Sequence, residues 1–434
     1  MSGGSGWAVV TFSTVTAGYA LVSRRLSSTP VSSQIVLVGA GVLLGPAALD
    51  LLDLGHDAAP ILTLAEAALT LILFTDAMAI TRRDLRVGGF LPRRLLGIGM
   101  PLSIGAGWLL AWPLLPGLTA WELALVGAVL APTDAALGKS AVFNPRVPAL
   151  VREGLNVESG LNDGMTLPFF VLFLAALPGT VTSEEGVQGI FWRSMVLSTA
   201  LGLAAGWLGG RLLRWSRARG WAGLEWSQVF VVAIAAGAYG LAVVTDGSGF
   251  IAAWVAGFAF AAGLGPAVPG AETRERTTEF AEDLGGLLAS LSFLVFGAVL
   301  LGPALEDLDW RVVTYAVLSL TVVRMVPVAL SLIGSGLRLP TVAYIAWLGP
   351  RGLASIVFGL LVVEENVPGV RLVGQVVAVT VGLSVLLHGL SAVTFAERYG
   401  AWYETARVPG LREGTVAPEA GGGRRPGRGL HRLR

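Results

Sequence analysis

The sequence predicts an all-α polytopic membrane protein, and three observations carry that prediction. The first is composition. Of the 434 residues, 54% are hydrophobic and 14% are charged, with a mean hydropathy of +0.71, whereas a soluble chain carries about 25% charged residues. The second is segmentation: about thirteen apolar stretches approach the roughly 20 residues that a spanning helix needs. The third is that basic residues are sorted by loop, in a phase that holds along the chain.

In order, the spans fall at about 7–24, 33–54, 58–80, 93–115, 119–143, 149–177, 190–213, 225–245, 248–266, 284–304, 310–335, 340–363 and 370–396. The connections after every odd-numbered span up to the eleventh hold Arg24-Arg25, Arg82-Arg83-Arg86, Arg146, Arg214-Arg217-Arg219, Arg274-Arg276 and Arg338. Those after the second, sixth and tenth spans hold Asp57, Glu184-Glu185 and Glu306-Asp307-Asp309, with little basic charge. Cytoplasmic loops collect Arg and Lys. The N-terminus is therefore expected outside and the C-terminus in the cytoplasm, as for a multi-pass protein of a cell inner (plasma) membrane. Residues 1–6 lack Lys and Arg, and the first basic pair follows the apolar run. That run is expected to stay as a span rather than act as a cleaved signal. Past Tyr403 the apolar periodicity stops. Residues 404–434, rich in Gly, Pro and Arg, read as a disordered cytoplasmic tail, with 1–403 as the transmembrane domain. The Arg cluster of the tail has two readings, contact with anionic lipid or plain solvation.

Composition also narrows function. The chain has no cysteine and three separated histidines, His56, His388 and His431. Disulfides and Cys- or His-ligated metal sites are therefore not expected. No phosphate-binding loop with a full Walker spacing occurs, which argues against an ATP-driven pump. No cofactor is expected, and the pattern points to transport rather than enzyme chemistry. Glycines at small-xxx-small spacing, as in Gly202-Gly206-Gly210, read as close helix packing in lipid in preference to sliding surfaces.

The polar residues inside spans carry the functional signal. A carboxylate in a spanning helix costs roughly 2.5–3.5 kcal/mol on insertion scales. Span 5 contains Ala131-Pro132-Thr133-Asp134. Pro132 removes an N–H and opposes the carbonyl one turn back, so the helix is expected to unwind there. In lipid such a break survives only where it is buried in protein or lines a cavity. Carbonyls near Leu130 and Thr133 become candidate oxygen ligands, and Asp134 balances a cation or the half-helix dipoles. The plainer alternative is a proline kink with Asp134 satisfied locally.

Span 6 contains Glu158-Ser159-Gly160-Leu161-Asn162-Asp163-Gly164. Helical spacing puts Ser159 and Asp163 on one face and Glu158 with Asn162 on the next. Asp163, with a hydroxyl one turn before it, suits a small dehydrated cation. The alternative is a polar patch that ties the helix to a neighbour. Burial disfavours the charged form of a lone carboxylate, so Asp163 can carry a proton when no cation is bound and release it when one binds. Glu158 reads as a structural acid seeking an Arg. Asp76 in span 3 is either a third site carboxylate or a helix-end acid near water. Glu66 stays unassigned, and Lys139 either snorkels or pairs with a site acid.

Span 12 is interrupted as well, by Gly349-Pro350-Arg351-Gly352. Two interrupted spans at corresponding places in two halves point to an inverted repeat with the site between them. Arg351 needs a buried anion, and Glu158 is the preferred partner. Arg324 in span 11 is also intramembrane, without an evident partner. Gly247-Ser248-Gly249-Phe250 and the run 293–297 read as packing or entry elements.

Taken in order, Pro132-Thr133-Asp134, Glu158-Ser159, Asn162-Asp163 and Gly349-Pro350-Arg351-Gly352, supported by Gly247-Ser248-Gly249-Phe250, resemble the monovalent cation:proton antiporter family, specifically the NhaP-type Na⁺/H⁺ antiporters. The resemblance covers about residues 7–396. It implies a homodimer, each protomer having a dimerisation part and a core of two inverted six-helix units with interrupted crossing helices. It implies that Asp163 binds ion and proton, that Thr133, Ser159, Asp134 and Asp76 complete the site around a monovalent cation, and that Glu158 bridges to Arg351. Asn162, where an electrogenic branch has a second Asp, implies electroneutral one-for-one exchange. Two departures concern the ligand set: Ala135 stands where the family often has Pro, and Asp76 where it often has Glu. The expectation is a secondary transporter exchanging Na⁺, Li⁺ or K⁺ for protons by alternating access. A K⁺/H⁺ antiporter or a passive cation channel is the alternative, and a transport-dead scaffold a weaker one.

Overall fold

The computed structural model describes residues 3–26, 31–51, 59–81, 84–85, 89–134, 137, 144–177, 187–265, 274–364 and 369–406. Among these residues every regular element is a helix. The helices are α1 (Gly3–Leu26), α2 (Ser33–Leu44), α3 (Ala59–Ala79), α4 (Leu91–Leu114, with a π turn over Leu95–Gly99) and α5 (Ala120–Val129). They continue with α6 (Ala149–Ala175), α7 (Val187–Ala218), α8 (Leu224–Val243), α9 (Gly249–Leu264) and α10 (Arg274–Phe296, prolonged through Gly297–Leu301 to Glu306). The last are α11 (Trp310–Leu320 and Val322–Ser331), α12 in two pieces (Leu339–Trp347 and Leu353–Glu364) and α13 (Val370–Ala406).

Each predicted span has a counterpart. Seven helices among the described residues are long and apolar enough to cross a membrane. Of the others, α6 has the length but carries Arg152, Glu153, Glu158 and Asp163, α5 and both pieces of α12 are cut short by their breaks, and α2 and α9 are shorter apolar helices. One sequence expectation shifts. The last helix runs past Tyr403 to Ala406, so the boundary drawn at 403 falls inside it. The remainder of the tail, 407–434, and Lys139 lie outside the described residues.

The helix ends follow from their capping residues. Thr119 and Glu122 form a reciprocal capping box at the start of α5, which satisfies two backbone donors. Ser32, Ser248 and Asp309 cap α2, α9 and α11. Ser248 is thus a cap, and its own N–H donates to Ser198 Oγ at 2.7 Å.

Packing divides the helices into two groups. In one, α4, α5 and α6 pack with α11, α12 and α13; in the other, α3 packs between α9 and α10, with α7 and α8 against α9. Gly202, Gly206 and Gly210 lie on the backbone of α9 at Ala252, Ala256 and Phe260, where an added Cβ would overlap main-chain atoms. The spacing therefore serves direct backbone contact, as small residues allow in lipid. Gly41 and Gly297 give α2 and α10 the same close approach.

Candidate ion-binding site at two helix breaks

The site grows from what Pro132 does to α5. The helix ends at Val129, and residues 131–134 leave the helical path. A break in this position strands carbonyl groups, and buried carbonyls require partners. Neighbouring helices supply them. Ser355 Oγ donates to Val129 O at 2.7 Å. Arg351 Nη1 donates to Ala131 O at 2.8 Å and to Pro132 O at 3.2 Å. Ser159 Oγ and Asn162 Nδ2 donate to Thr133 O at 2.9 Å and 3.0 Å. The Thr133 carbonyl, a candidate ligand by sequence, is therefore already engaged by two donors.

The second break meets the first. The peptide N–H of Asp134 donates to Pro350 O at 2.7 Å, and Asp134 Oδ2 accepts from Leu353 N at 3.4 Å. The carboxylate thus sits at the N-terminus of the second piece of α12, where the helix dipole favours an anion. The glycines of this break are fixed by contact: a Cβ on Gly352 would overlap the Asp134 carboxylate, and one on Gly349 the Arg324 guanidinium.

The buried ion pair differs from the one expected. Glu158 Oε1 pairs with Arg324 Nη1 at 3.0 Å, both residues 3% exposed. Arg324 Nη2 also reaches Leu348 O at 3.5 Å. Arg324, left without a partner by the sequence, is thus the partner of Glu158. Arg351 instead serves the open carbonyls of α5. The physical reason is position: α12 crosses α5 at the break, so its Arg meets main-chain oxygens first, whereas α11 brings Arg324 to the Glu158 face of α6. Glu158 also accepts from the Thr133 hydroxyl at 3.5 Å, and Asn162 Nδ2 donates to that hydroxyl. Glu158 and Asn162 share the helix face the spacing indicated, and that face is turned onto the α5 break.

Ser159 and Asp163 face a cavity of about 740 Å³. Asp76 and Asp134 line it with them, so the three aspartates named as candidate ion-site residues come to one space. Asp163 Oδ1 is buried, and no hydrogen bond among the described residues reaches it. Gly160 lies beside Asp76, its Cβ position 3.6 Å from Asp76 Cβ, which lets α3 approach α6. The cavity is therefore acidic and ends on a carboxylate with an open oxygen, a setting suited to a dehydrated cation or a proton.

Other polar residues of the cavity were missed by the sequence reading: Asn156, Asp84, Glu282 and Ser290. Glu282 had a signal, since Glu282, Gly286, Ser290 and Phe293 follow helical spacing along one face of α10, and all four line the cavity. Asp84 is held by Thr81, whose N–H and hydroxyl donate to it at 2.9 Å and 2.6 Å. Glu66 lies away from this space, hydrogen-bonded by Tyr239 with Glu364 nearby.

Comparison with known proteins gives the same grouping. The sequence profile described as sodium/hydrogen exchanger, transmembrane, matches residues 10–398. A protein named K(+)/H(+) antiporter NhaP from Alkalimonas amylolytica is 25% identical over 382 residues, covering 86% of this chain and 62% of its own length. A Na(+)/H(+) antiporter 2 from Zygosaccharomyces rouxii is 29% identical over 246 residues, covering 52% of this chain and 29% of its own length. The chain thus spans 62% or less of the length of these two relatives. In fold it resembles the sodium proton antiporter MjNhaP1 from Methanocaldococcus jannaschii, with a TM-score of 0.72 at 18% identity, covering 92% of this chain and 98% of that one.

Proposed function

The chain belongs to the sodium/hydrogen exchanger family, and from that premise we propose that it exchanges a monovalent cation for protons across a membrane by alternating access. The observation that carries this reading is the buried Asp163 oxygen with no hydrogen bond among the described residues, on a residue lining a cavity with Asp76, Asp134 and Ser159. A cation entering the cavity takes Asp163 as its charged ligand, with the hydroxyl of Ser159 beside it and Asp134 and Asp76 contributing field. A proton takes the same oxygen when the cation leaves. One carboxylate used in turn by two ions couples their fluxes, because the empty charged form is costly to bury. Glu158 is neutralised by Arg324 and does not compete for the cation. Asn162 stands where an electrogenic branch has a second Asp, which supports electroneutral one-for-one exchange.

The basic loops orient the chain with its C-terminus in the cytoplasm of the plasma membrane. The cavity then opens inward, since Asp84, in the connection that also carries Arg86, lines it. Helices of the second group, built on α3, α8, α9 and α10, hold a partner copy in a homodimer. Relatives carry names for both K⁺ and Na⁺ exchange, and one assay separates the ions. Proteoliposomes with an internal pH dye receive Na⁺, Li⁺ and K⁺ in turn, at clamped and at varied membrane potential. Proton movement that follows one added cation and ignores potential supports the reading; cation entry without proton movement replaces it with a channel.

A further inference from the structure

One face of α13 follows the interrupted helix α12 along its first piece and through its break. Ser384, His388, Ser391, Phe395 and Tyr399 recur at intervals of three or four residues, and each touches α12. Ser384 Oγ accepts from Arg351 N at 2.7 Å. His388 Nε2 lies 3.1 Å from Trp347 O, and Ser391 Oγ accepts from Trp347 Nε1 at 3.0 Å. Phe395 meets the Trp347 ring edge-on, and Tyr399 stacks on Tyr344 at 4.3 Å between centroids. His388 itself stacks on Trp347 at 5.0 Å and is 1% exposed.

The two ring nitrogens of His388 have different neighbours. Nδ1 lies 3.2 Å from Ser384 Oγ and 3.0 Å from Ser384 O; Nε2 faces Trp347 O. A neutral imidazole has one N–H. If it sits on Nδ1, it serves Ser384 O, Nε2 turns a lone pair to the Trp347 carbonyl, and the Ser384 hydroxyl has no acceptor on the ring. If it sits on Nε2, that carbonyl is served, and Nδ1, beside Ser384 O, accepts a hydrogen bond from the Ser384 hydroxyl. The same hydroxyl oxygen is then free to accept from Arg351 N. An imidazolium would end that relay. It would also add a third cation near Arg351 and Arg324, whose shared carboxylate is Glu158.

We propose that His388, as the neutral Nε2–H imidazole, is a positioning residue for the ion site: it bridges both ends of the α12 break, holding Trp347 O directly and Arg351 N through Ser384. Arg351 carries the effect onward, because its guanidinium holds the carbonyls of Ala131 and Pro132 in the α5 break. The adjoining Thr133 is held by Ser159 and Asn162, next to Asp163. The inference rests on the exchange activity proposed above for its transport readout.

Two variants separate hydrogen bonding from packing. His388→Phe keeps a ring against Trp347 and loses both polar contacts; His388→Gln keeps a donor and an acceptor and loses the ring. In proteoliposomes of the full chain, the cation concentration for half-maximal exchange rises about tenfold in His388→Phe, the scale of one buried polar group left unserved. It stays within about twofold of wild type in His388→Gln, whose pH profile overlays the wild type because no titrating group is used. Equal half-saturation in wild type and His388→Phe overturns the proposal, and so does a Gln variant as impaired as the Phe variant. A wild-type protein without exchange overturns the functional reading instead. Amide hydrogen exchange over residues 347–353 then decides the inference alone: faster exchange at Arg351 in His388→Phe but not in His388→Gln supports it, and identical exchange in all three proteins refutes it.

Discussion

The amide of Asp134 donates to the carbonyl oxygen of Pro350 at 2.7 Å, so the two interrupted helices touch backbone to backbone where each has stopped being a helix. Asp134 therefore belongs to both breaks, by its peptide to one and by its carboxylate to the helix that resumes after the other. Gly352 is the residue that permits this. Gly352→Ala places a methyl group into the Asp134 carboxylate, an overpacking that costs about 1–3 kcal/mol in a filled interior. Cation half-saturation in the liposome assay should rise, with the protein still monodisperse. Unchanged half-saturation would remove Asp134 from the site.

Asp163→Asn retains size and hydrogen-bonding capacity and loses the charge. Exchange should vanish for every cation, while the elution profile in detergent matches wild type. A fully active Asn variant would move the coupling carboxylate elsewhere, with Asp76 the next candidate in the cavity.

Glu158 and Arg324 form a buried pair at 3.0 Å. Removing either partner alone leaves a charge without its counterion, at a cost of about 3–5 kcal/mol, whereas replacing both with apolar residues of similar size is often close to neutral. Melting temperatures in detergent should therefore fall strongly for Glu158→Ala and for Arg324→Ala, and less for the double Glu158→Met, Arg324→Met. A stable Arg324→Ala protein would mean that Glu158 has recruited Arg351.

Ser159 and Asn162 both donate to the Thr133 carbonyl. Ser159→Ala and Asn162→Ala should consequently be non-additive, with a coupling energy of about 0.5–3 kcal/mol in the exchange constants, as for residues sharing one partner. Strict additivity would place the two side chains in separate duties.

Much of this arrangement was legible from residue order alone. The breaks were announced by Pro132 and by Gly349-Pro350, because proline cannot continue a helix ladder wherever it lands. Asp163, Asp134 and Asp76 stood out since lipid makes any charge conspicuous. What the sequence could not convey was partner choice among buried groups. Glu158 had Arg351 and Arg324 within the same membrane layer, and the rotation of α11 against α12 decided between them. The roles of Ser355, Ser384 and His388 were hidden for a related reason. Hydroxyls and one imidazole in apolar helices name no partner even where, as at Ser384, His388 and Ser391, they recur at helical spacing, and each gains meaning from a main-chain atom hundreds of positions away or one helix over. Glu282 was the exception that periodicity would have found.

The donors on the α5 break arrive from two directions, Ser355 and Arg351 out of α12 and Ser159 and Asn162 out of α6. Each of these carbonyls has a donor from the protein itself. An irregular stretch of main chain with its own internal solvation can be carried through changing surroundings, lipid on one occasion and an aqueous opening on another, without being re-solvated on the way. The unwound segment thereby keeps its partners inside the α4–α6 and α11–α13 group, whatever surrounds that group.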